Sequence, residues 1–503
     1  MRLALLNPES YFGDPPLGLG YIAGYLKKYS KIPVEIAIFD KQNLIAGLKK
    51  FNPDVIGCSA VSETFYAANE LAKKIKEEIK VPLFLGGLHV TLAPHDFKDS
   101  NFDIAVLGEA EKTVLEIVEN FEAIKRYDIK TLKKINGLLF RDPKTKEVIY
   151  SPPREQIQNL DEIPFPDREL LNMRFYLQPR PGTNHSLQVR ASMMTSRGCP
   201  YSCGFCATTV FWKNNKGINT IRYHSPEYVA KETKMLVEKY GVEHIFIFDD
   251  LFMVDKQRVK DIVTALEKEG IKRRVEFSIQ ARANLITKEM ANDLKEMGVK
   301  QLIFGFESGS DRVLKTIKGP SVSSKVNAEA IKNCKEVGIE VQGLFIIGSP
   351  GEKEEDLQQT YDFIKNNNLD YAMIYQGYPF PGTDWFKYAV ESDIVKKDYY
   401  TQPHDRLWLG HDYERLLTKD IPLEEFKKWV KKFDELQQTF EKNIKVHYWK
   451  YKNFKYFFRP RFIKRYLRSY TSRFIVNNRT KIEKIKNALK KKENQIIVEP
   501  TVN

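Results

Sequence analysis

The sequence is short of cysteine and has no long apolar run. Its 503 residues contain five cysteines, too few for the disulfide framework that small secreted domains use. No stretch of eighteen apolar residues occurs, so no segment is predicted to cross a bilayer as a helix. The apolar start of the chain is too short for a signal peptide and predicts a first strand instead. These absences indicate a reducing, cytoplasmic setting.

Three of the five cysteines lie within eight residues. Cys199, Cys203 and Cys206 form a C-x3-C-x2-C pattern. A structural zinc site needs four ligands, and the next histidine along the chain, His224, follows Cys206 by eighteen residues. A disulfide cannot be shared among three thiols. The spacing instead predicts a [4Fe-4S] cluster gripped at three corners, with one iron open to a reacting ligand.

This pattern, with the aromatic Phe205 just before the last cysteine, resembles the radical S-adenosylmethionine (SAM) superfamily. In that family the amino and carboxylate groups of SAM chelate the open iron, and the reduced cluster cleaves SAM to a 5′-deoxyadenosyl radical. The resemblance implies three things: a [4Fe-4S] cluster and SAM as cofactors, anaerobic chemistry, and an electron donor such as flavodoxin or ferredoxin. Cluster potentials as low as about −700 mV suit such a reaction.

The first 122 residues alternate apolar runs with helical stretches. The runs are Leu3–Leu6, Val34–Phe39, Val55–Cys58, Leu83–Leu85 and Ile104–Leu107. Five strands joined by helices predict a parallel, doubly wound sheet of the flavodoxin or Rossmann type. Such sheets bind ligands beyond the carboxyl ends of their strands.

Three segments here resemble the cobalamin-binding domain of class B radical SAM enzymes: Pro15–Leu26, Pro53–Gly57 and Gly86–His89. The resemblance implies that Ser59, Gly86 and Gly87 approach the nucleotide tail of cobalamin. His89 is either a further cofactor contact or, as is commoner at a strand end, a structural residue. The D-x-H-x-x-G segment that ligates cobalt in methionine-synthase-type domains is absent, so cobalamin would bind without a protein histidine or not at all.

A second unit carries six more strand candidates separated by helical segments. They are Met193–Ser196, His244–Phe248, Val275–Ile279, Leu302–Phe306, Val341–Ile347 and Tyr371–Tyr375. Six βα units predict a partial (β/α)6 barrel of the TIM type, with its active site at the carboxyl ends of the strands.

Polar groups or glycines follow these strands. Singly they are ordinary, since paired aspartates can begin a helix and Gly-Ser-Pro-Gly can be a turn. Together they resemble the SAM-holding positions of the family, which implies SAM contacts at Phe205, Asp249, Asp250, Arg282, Glu307, Ser308 and Gly348. The aspartates would lie by the amino group and the arginine by the carboxylate, which it can bind bidentately. The Glu-Ser pair would lie by the ribose and the glycine by the adenine.

The predicted organisation has four parts: a cobalamin-binding-like domain (1–135), a hairpin with a Pro-rich linker (136–185), the barrel (186–399) and a helical, basic-aromatic region (400–503). The net charge of +14 resides in the last part, because 441–494 hold 18 Lys+Arg against 3 Asp+Glu. Three interpretations of this segment stay open. It is a solvated cap over the barrel, a peripheral anchor on anionic lipid at the inner face of the membrane, or an RNA-binding tail.

The whole pattern predicts an enzyme that functionalises an unactivated carbon, by cobalamin-dependent methyl transfer. The alternative is radical cyclisation, oxidation or carbon–carbon coupling without methyl transfer, on a lipid or another large hydrophobic substrate. A methylthiotransferase acting on RNA would need three more cysteines near the N-terminus, where only Cys58 occurs. This argues against a nucleic-acid partner. A scaffold without catalysis is disfavoured because all three cluster cysteines are present.

Overall fold

Two β-sheets organise the chain, one in each half, and most of their strands are parallel. The computed structural model describes residues 1–8, 14–40, 44–177, 188–213, 217–402 and 413–451. Within these ranges seven strands form the first sheet and six the second, and a two-stranded hairpin precedes most of the second sheet in sequence. Helices connect the parallel strands of both sheets, which confirms the predicted α/β class.

The first sheet is doubly wound. Its strands are β1 (Arg2–Asn7), β2 (Glu35–Asp40), β3 (Val55–Ser59), β4 (Leu83–Gly86), β5 (Ile104–Val106), β6 (Leu138–Arg141) and β7 (Val148–Tyr150). They lie in the order β2-β1-β3-β4-β5-β6-β7. The first five strands are parallel, and the predicted hairpin, β6–β7, extends the sheet antiparallel. Strand order reverses between β1 and β3, the switch point at which such sheets bind ligands.

Helices cover both faces of this sheet. They are α1 (Leu17–Tyr29), α2 (Leu44–Phe51), α3 (Ser62–Glu78), α4 (Leu88–Leu92), α5 (Glu111–Glu119), α6 (Phe121–Lys125) and α7 (Ile129–Leu132). In β1, Leu3 and Leu5 pack toward α1 and α5, whereas Ala4 and Leu6 pack toward α3. Burial on both faces explains why these strands are continuous apolar runs rather than alternating ones.

The Pro-rich linker, which contains α8 (Met173–Tyr176), runs over helix α1. Gly24 permits the approach, because a Cβ there would lie 2.7 Å from the carbonyl oxygen of Phe165. The Asp167 N–H donates to the carbonyl oxygen of Gly20 at 2.9 Å. The linker is thus packed along the first unit over much of its length.

The second sheet is an open, partial barrel. Its elements, with the preceding hairpin, are β8 (Arg190–Met193), β9 (Ser196–Gly198), β10 (Ile221–Tyr223), β11 (His244–Ile247), β12 (Glu276–Ala281), β13 (Val299–Glu307), β14 (Glu340–Ile347) and β15 (Tyr371–Gln376). Strands β8 and β11 to β15 are parallel and adjacent in chain order. The first barrel strand ends at Met193, three residues before the predicted end, and Ser196 already belongs to the antiparallel hairpin β9–β10.

Helices follow the barrel strands. They are α9 (Ala207–Phe211), α10 (Pro226–Tyr240), α11 (Lys256–Lys268), α12 (Lys288–Met297), α13 (Asp311–Lys318), α14 (Ser324–Glu336), α15 (Glu354–Asn366), α16 (Asp384–Glu391) and α17 (Leu423–Tyr451). Helix α10 has a favourable start, because the Ser225 hydroxyl accepts the Tyr228 N–H at 3.1 Å and Pro226 is the first helical residue.

Helix α17 covers the open edge of the barrel. Its apolar face packs on the barrel, with Phe426, Val430 and Phe433 buried in the barrel core. Gln437 accepts the N–H of Ile374 on the edge strand β15 at 3.0 Å, which satisfies a donor that would otherwise be open. Side chains from 441 and all atoms from 452 lie outside the described residues, as does most of the basic segment 441–494. Among the described helices, none is long and apolar enough to span a membrane.

Candidate functional site: a cysteine loop beside a cobalamin-type cavity

The hairpin β9–β10 carries the cysteine loop. Gly198 ends β9 with φ +102°, and a Cβ on it would overlap the carbonyl oxygen of Thr220 across the hairpin. Only glycine fits this position. The loop then turns so that the Cys206 N–H donates to the carbonyl oxygen of Cys203 at 3.1 Å. All three cysteines, with Cys199 at its start, lie on this one loop and are partly exposed.

The three thiols suit a cluster better than a single metal ion. No disulfide joins them, and within the described ranges no three Cys, His, Asp or Glu side chains converge on one ion. A cubane spreads its thiolates over separate irons and so needs wider spacing. Burial raises the pKa of Cys199 to about 11 and also raises the pKa of Cys206. Cluster assembly must therefore displace protons from these thiols.

Arg282, just beyond β12, lies against the cysteine loop. Its Nη1 is 3.4 Å from the Sγ of Cys203, and its guanidinium stacks 3.8 Å from the ring centroid of Tyr201. Its Nε donates to Asn284 at 3.0 Å, and its Nη2 donates to the carbonyl oxygen of Lys318 at 2.9 Å. These contacts fix a positive charge beside one of the cluster cysteines.

Asp249, which follows β11, is fully buried. It accepts the N–H and the hydroxyl of Thr195 at 2.6 and 2.5 Å and the hydroxyl of Ser196 at 2.6 Å. Arg258 donates to the carbonyl oxygen of Thr195 at 2.8 Å, and burial raises the pKa of Asp249. This network ends β8 and begins the hairpin, which is why the strand stops early. In this arrangement the carboxylate has no surface open to a ligand.

Asp250 keeps some exposed surface and lies beside the other end of the cysteine loop. It accepts the hydroxyl of Thr208 at 3.1 Å and the indole N–H of Trp212 at 2.7 Å. Burial raises its pKa to about 6. Of the two aspartates, Asp250 is therefore the one that a cofactor could reach.

Glu307 ends β13 in an unusual conformation. Its φ of +66° lies in the left-handed region, at a bulge that shifts the register with β14 after Gly305. Such strain persists where the surroundings fix it, and it clusters at functional sites. The carboxylate lies 3.2 Å from the Nζ of Lys318, and both groups are buried. The neighbouring Ser308 is fully buried, with its hydroxyl 3.0 Å from that of Thr360.

Lys318 joins the two predicted SAM residues on neighbouring strands. Its carbonyl oxygen accepts from Arg282 while its ammonium group pairs with Glu307. The ammonium also donates to the carbonyl oxygen of Gly305. Because Lys318 closes helix α13 rather than a strand, the strand-end pattern in the sequence did not reveal it.

Gly348 follows β14 with φ +79°. Its N–H and that of Ser349 donate to the buried carboxyl group of Glu352 at 2.5 and 3.0 Å. A Cβ on Gly348 would lie 2.9 Å from Leu416 and 3.0 Å from Phe426. The C-terminal region therefore packs directly on the predicted adenine-side glycine.

Phe205 lies between the cysteine loop and the last barrel elements. Its ring centroid is 5.4 Å from that of Trp385 in helix α16, and it packs on an apolar cluster that includes Ile346 of β14. The aromatic residue of the cysteine motif thus contacts the far side of the barrel.

The inner face of the barrel is polar on one layer and aromatic on the next. A chain of side-chain contacts of 2.7, 3.1, 3.3 and 3.1 Å crosses five neighbouring strands through His244, Ser278, Gln301, Gln342 and Met373. Nearer the carboxyl ends, Phe248 and Tyr375 are 36% and 38% exposed, although both are large and aromatic. The interior of the barrel is therefore closed by buried polar side chains, with partly exposed aromatic rings nearer the carboxyl ends of the strands.

A cavity of about 190 Å³ opens at the carboxyl edge of the first sheet. Ser59, Gly86 and Gly87 all line it, and helices α1 and α5 bound it. A Cβ on Gly86 would meet no atom within 4 Å, so this glycine borders open space. The position at the switch point and the glycine wall fit the nucleotide tail of cobalamin.

His89 lies outside this cavity. It is fully buried, its ring stacks on Phe65 with centroids 4.0 Å apart, and its Nδ1 is 3.1 Å from the hydroxyl of Ser62. Its Nε2 is 3.3 Å from Asp96. The contacts of His89 are thus with Phe65, Ser62 and Asp96, and it is not among the residues that line the cavity.

Comparisons with known proteins agree with this architecture. Residues 193–364 match the radical SAM superfamily, and residues 9–118 match the B12 binding domain. An uncharacterized methyltransferase of Pyrococcus horikoshii is 33% identical over 390 residues, which cover 76% of this chain and 80% of that protein. The chain therefore belongs to the radical SAM superfamily, in the class that carries an N-terminal B12-binding domain.

Two further proteins are similar to this chain over most of their own length. Cytidylyl-2-hydroxyethylphosphonate methyltransferase of Streptomyces wedmorensis is 26% identical over 489 residues, covering 83% of this chain and 89% of that protein. TsrM from Kitasatospora setae, a radical SAM methyltransferase, has a solved structure with a TM-score of 0.63 at 16% identity, covering 78% of this chain and 77% of that one. The structural match shows that the two proteins share a fold.

The family membership confirms the predicted fold and cofactors. A radical SAM domain implies a [4Fe-4S] cluster and SAM, and a B12 binding domain implies cobalamin. The chain is thus an enzyme of this superfamily, and it needs a reductant for its cluster.

Proposed function

We propose that this enzyme transfers a methyl group to an unactivated carbon of its substrate. One observation carries the proposal: the cobalamin-type cavity of the first sheet opens directly against the hairpin that holds the cluster cysteines, with Arg197 and Trp212 from the barrel unit in its wall. The names of the Pyrococcus and Streptomyces relatives support it, since both are methyltransferases. When bound, the cluster supplies the electron that cleaves SAM, and cobalamin carries the methyl group.

We assign the SAM contacts by where each side chain lies. Cys199, Cys203 and Cys206 hold three irons, and Arg282 beside Cys203 binds the SAM carboxylate as a guanidinium fork. Asp250 is the better partner for the amino group, because Asp249 is committed to Thr195 and Ser196. Glu307, held by Lys318, accepts hydrogen bonds from the ribose hydroxyls. Ser308 positions the strand end by its bond to Thr360. Phe205 and Gly348 border the adenine side.

We assign the substrate to the barrel lumen. The partly exposed rings of Phe248 and Tyr375 offer apolar walls, and the mutually bonded side chains of the polar layer close the barrel on the side toward the strands' amino ends. This surface fits a substrate that presents an apolar carbon to the cofactors. Abstraction of hydrogen by a radical is needed at such a carbon, since acid–base groups cannot activate an unpolarised C–H bond.

The test is anaerobic reconstitution followed by product analysis. The purified chain is supplied with iron, sulfide, hydroxocobalamin, SAM and a one-electron reductant. Methyl transfer predicts S-adenosylhomocysteine together with 5′-deoxyadenosine, and the former only when cobalamin is present. If 5′-deoxyadenosine formed with cobalamin bound and no S-adenosylhomocysteine appeared, the radical reaction without methyl transfer would be favoured instead.

We further propose flavodoxin or ferredoxin as the reductant, a cytoplasmic location, and peripheral contact of segment 441–494 with anionic membranes. The charge of that segment supports lipid contact, because Lys and Arg near an anionic surface each add attraction. Sedimentation with vesicles of anionic lipid, compared between the full chain and a chain ending near 440, tests it. Equal binding by both would exclude the segment as an anchor.

A further inference from the structure

A buried cluster of two arginines and two glutamates joins the two α/β units. Arg197 on β9 places its Nη1 2.8 Å from Glu109 and its Nη2 2.5 Å from Glu111, both from the cobalamin-binding unit. Arg222 on β10 lies 3.0 Å from the second oxygen of Glu109. All four residues are at most 8% exposed. The two strands of the cysteine hairpin are therefore held by carboxylates of the other unit.

Three of the four residues of this cluster are also part of the cavity wall. Arg197, Glu109 and Glu111 line the cavity together with Trp212. Arg222 stacks 5.5 Å from the ring centroid of Trp212, and two of its donors, Nε and Nη2, are buried without a protein partner. A cofactor that enters the cavity meets Arg197, Glu109 and Glu111 directly, while Arg222 supports Glu109 from outside the lining.

The same residues are connected to the cluster and SAM sites, either along the chain or through one hydrogen bond. Arg197 precedes Cys199 by two residues, and Gly198 between them locks the backbone against Thr220. Trp212 donates its indole N–H to Asp250 at 2.7 Å. Both connections run through short, buried contacts, which leave little room for the wall to rearrange without moving the loop.

We infer that this ion cluster couples the two cofactor sites, so that cobalamin in the cavity strengthens binding of SAM at the cysteine loop. Arg197, Arg222, Glu109 and Glu111 act as positioning residues. Cobalamin has carboxamide groups that can donate to Glu109 and Glu111 in the cavity wall, and its arrival fixes the hairpin. Because coupling of binding is reciprocal, SAM strengthens binding of cobalamin by the same factor. The inference rests on the two cofactors and not on methyl transfer.

Helix α5 supplies a matched pair of variants for the test. Glu111→Gln removes one charge of the cluster, whereas Glu116→Gln removes a charge of the same helix that pairs with Arg154 at 2.7 Å outside the cavity. The dissociation constant of SAM is measured on anaerobically reconstituted protein with and without saturating hydroxocobalamin. Saturation is verified by absorbance, and Arg197→Lys, which keeps the charge and loses the fork, repeats the comparison if Glu111→Gln does not fold.

Cobalamin should tighten SAM binding of the wild type and of Glu116→Gln by about fivefold or more. In Glu111→Gln or Arg197→Lys the change should fall below about twofold, and the cluster's electron paramagnetic resonance signal should lose its response to cobalamin. A full effect of cobalamin in both variants, or none in the wild type, would overturn the inference. Neither readout depends on methyl transfer.

Discussion

The guanidinium of Arg282 lies 3.4 Å from the sulfur of Cys203, although 79 residues separate the two in sequence. The arginine is held there by stacking on Tyr201 and by two hydrogen bonds. A fixed fork beside a cluster cysteine is suited to a carboxylate bound at the neighbouring iron. The contact thus links the carboxyl end of strand β12 to the cysteine loop.

Replacing Arg282 by lysine should weaken SAM binding. Lysine keeps the charge but loses the planar fork and the stack on Tyr201, so SAM affinity should fall about tenfold or more, roughly 1.4 kcal/mol. The measurement is SAM titration of the reconstituted cluster by electron paramagnetic resonance. Arg274→Lys, at an exposed arginine paired with Glu238, is the control and should bind SAM normally. Wild-type affinity in Arg282→Lys would remove this residue from the SAM site.

Two glycines of the cysteine hairpin should respond differently to alanine. Gly198 and Gly217 both have positive φ, of +102° and +75°, so both substitutions cost about 1–2 kcal/mol of backbone strain. Only at Gly198 does the added Cβ also overlap a backbone atom, since Gly217 has nothing within 4 Å. Gly198→Ala should therefore lose most of its iron on reconstitution, and Gly217→Ala should keep it. Equal iron content in both would contradict the hairpin geometry.

Stability should depend on pH through Glu352. Burial raises its pKa to about 8, from 4.5 in the unfolded chain. The folded state then binds more protons than the unfolded state between these values, so the free energy of unfolding falls as pH rises from about 4.5 to about 8. Glu352→Gln keeps an acceptor for Gly348 and cannot ionise. Melting curves should show the variant gaining stability relative to wild type from about pH 5 to about pH 8; a constant difference would refute the buried acid.

Filling the cavity should displace cobalamin without unfolding the protein. Gly86 borders open space, so Gly86→Ala should bind cobalamin nearly as tightly as the wild type does. In Gly86→Leu the affinity for cobalamin should fall about tenfold or more. Absorbance after gel filtration measures the bound cofactor, and the melting temperature measured without cobalamin should stay within a few degrees in both variants. Retention of cobalamin by Gly86→Leu would place the tail elsewhere.

Periodic features of the sequence predicted the scaffold well. Apolar runs located the strands because both faces of these sheets are covered, and the cysteine spacing located the cluster loop because its chemistry is local. Helix α17 carries a signal of the same kind, since Phe426, Val430 and Phe433 recur at helical spacing and are buried. These signals operate over a few residues, so one sequence is enough to see them.

Pairings over long separations were not predictable in the same way. Arg197 meets Glu109 across 88 residues, and Gly348 is covered by Phe426. No local period records such contacts. The pair Asp249-Asp250 shows the same limit, because the sequence marks both as candidate ligands, while the fold buries the first against Thr195 and leaves the second partly exposed.

The most direct test of the account is anaerobic reconstitution of the wild type beside Cys203→Ala. The wild type should bind about four irons as one [4Fe-4S] cluster, together with cobalamin, and should form 5′-deoxyadenosine from SAM once reduced. The variant should lose the cluster signal and the SAM cleavage. A wild type without a four-iron spectrum, or a variant with the same spectrum and turnover, would contradict the claim that these three thiols hold an open-iron cluster.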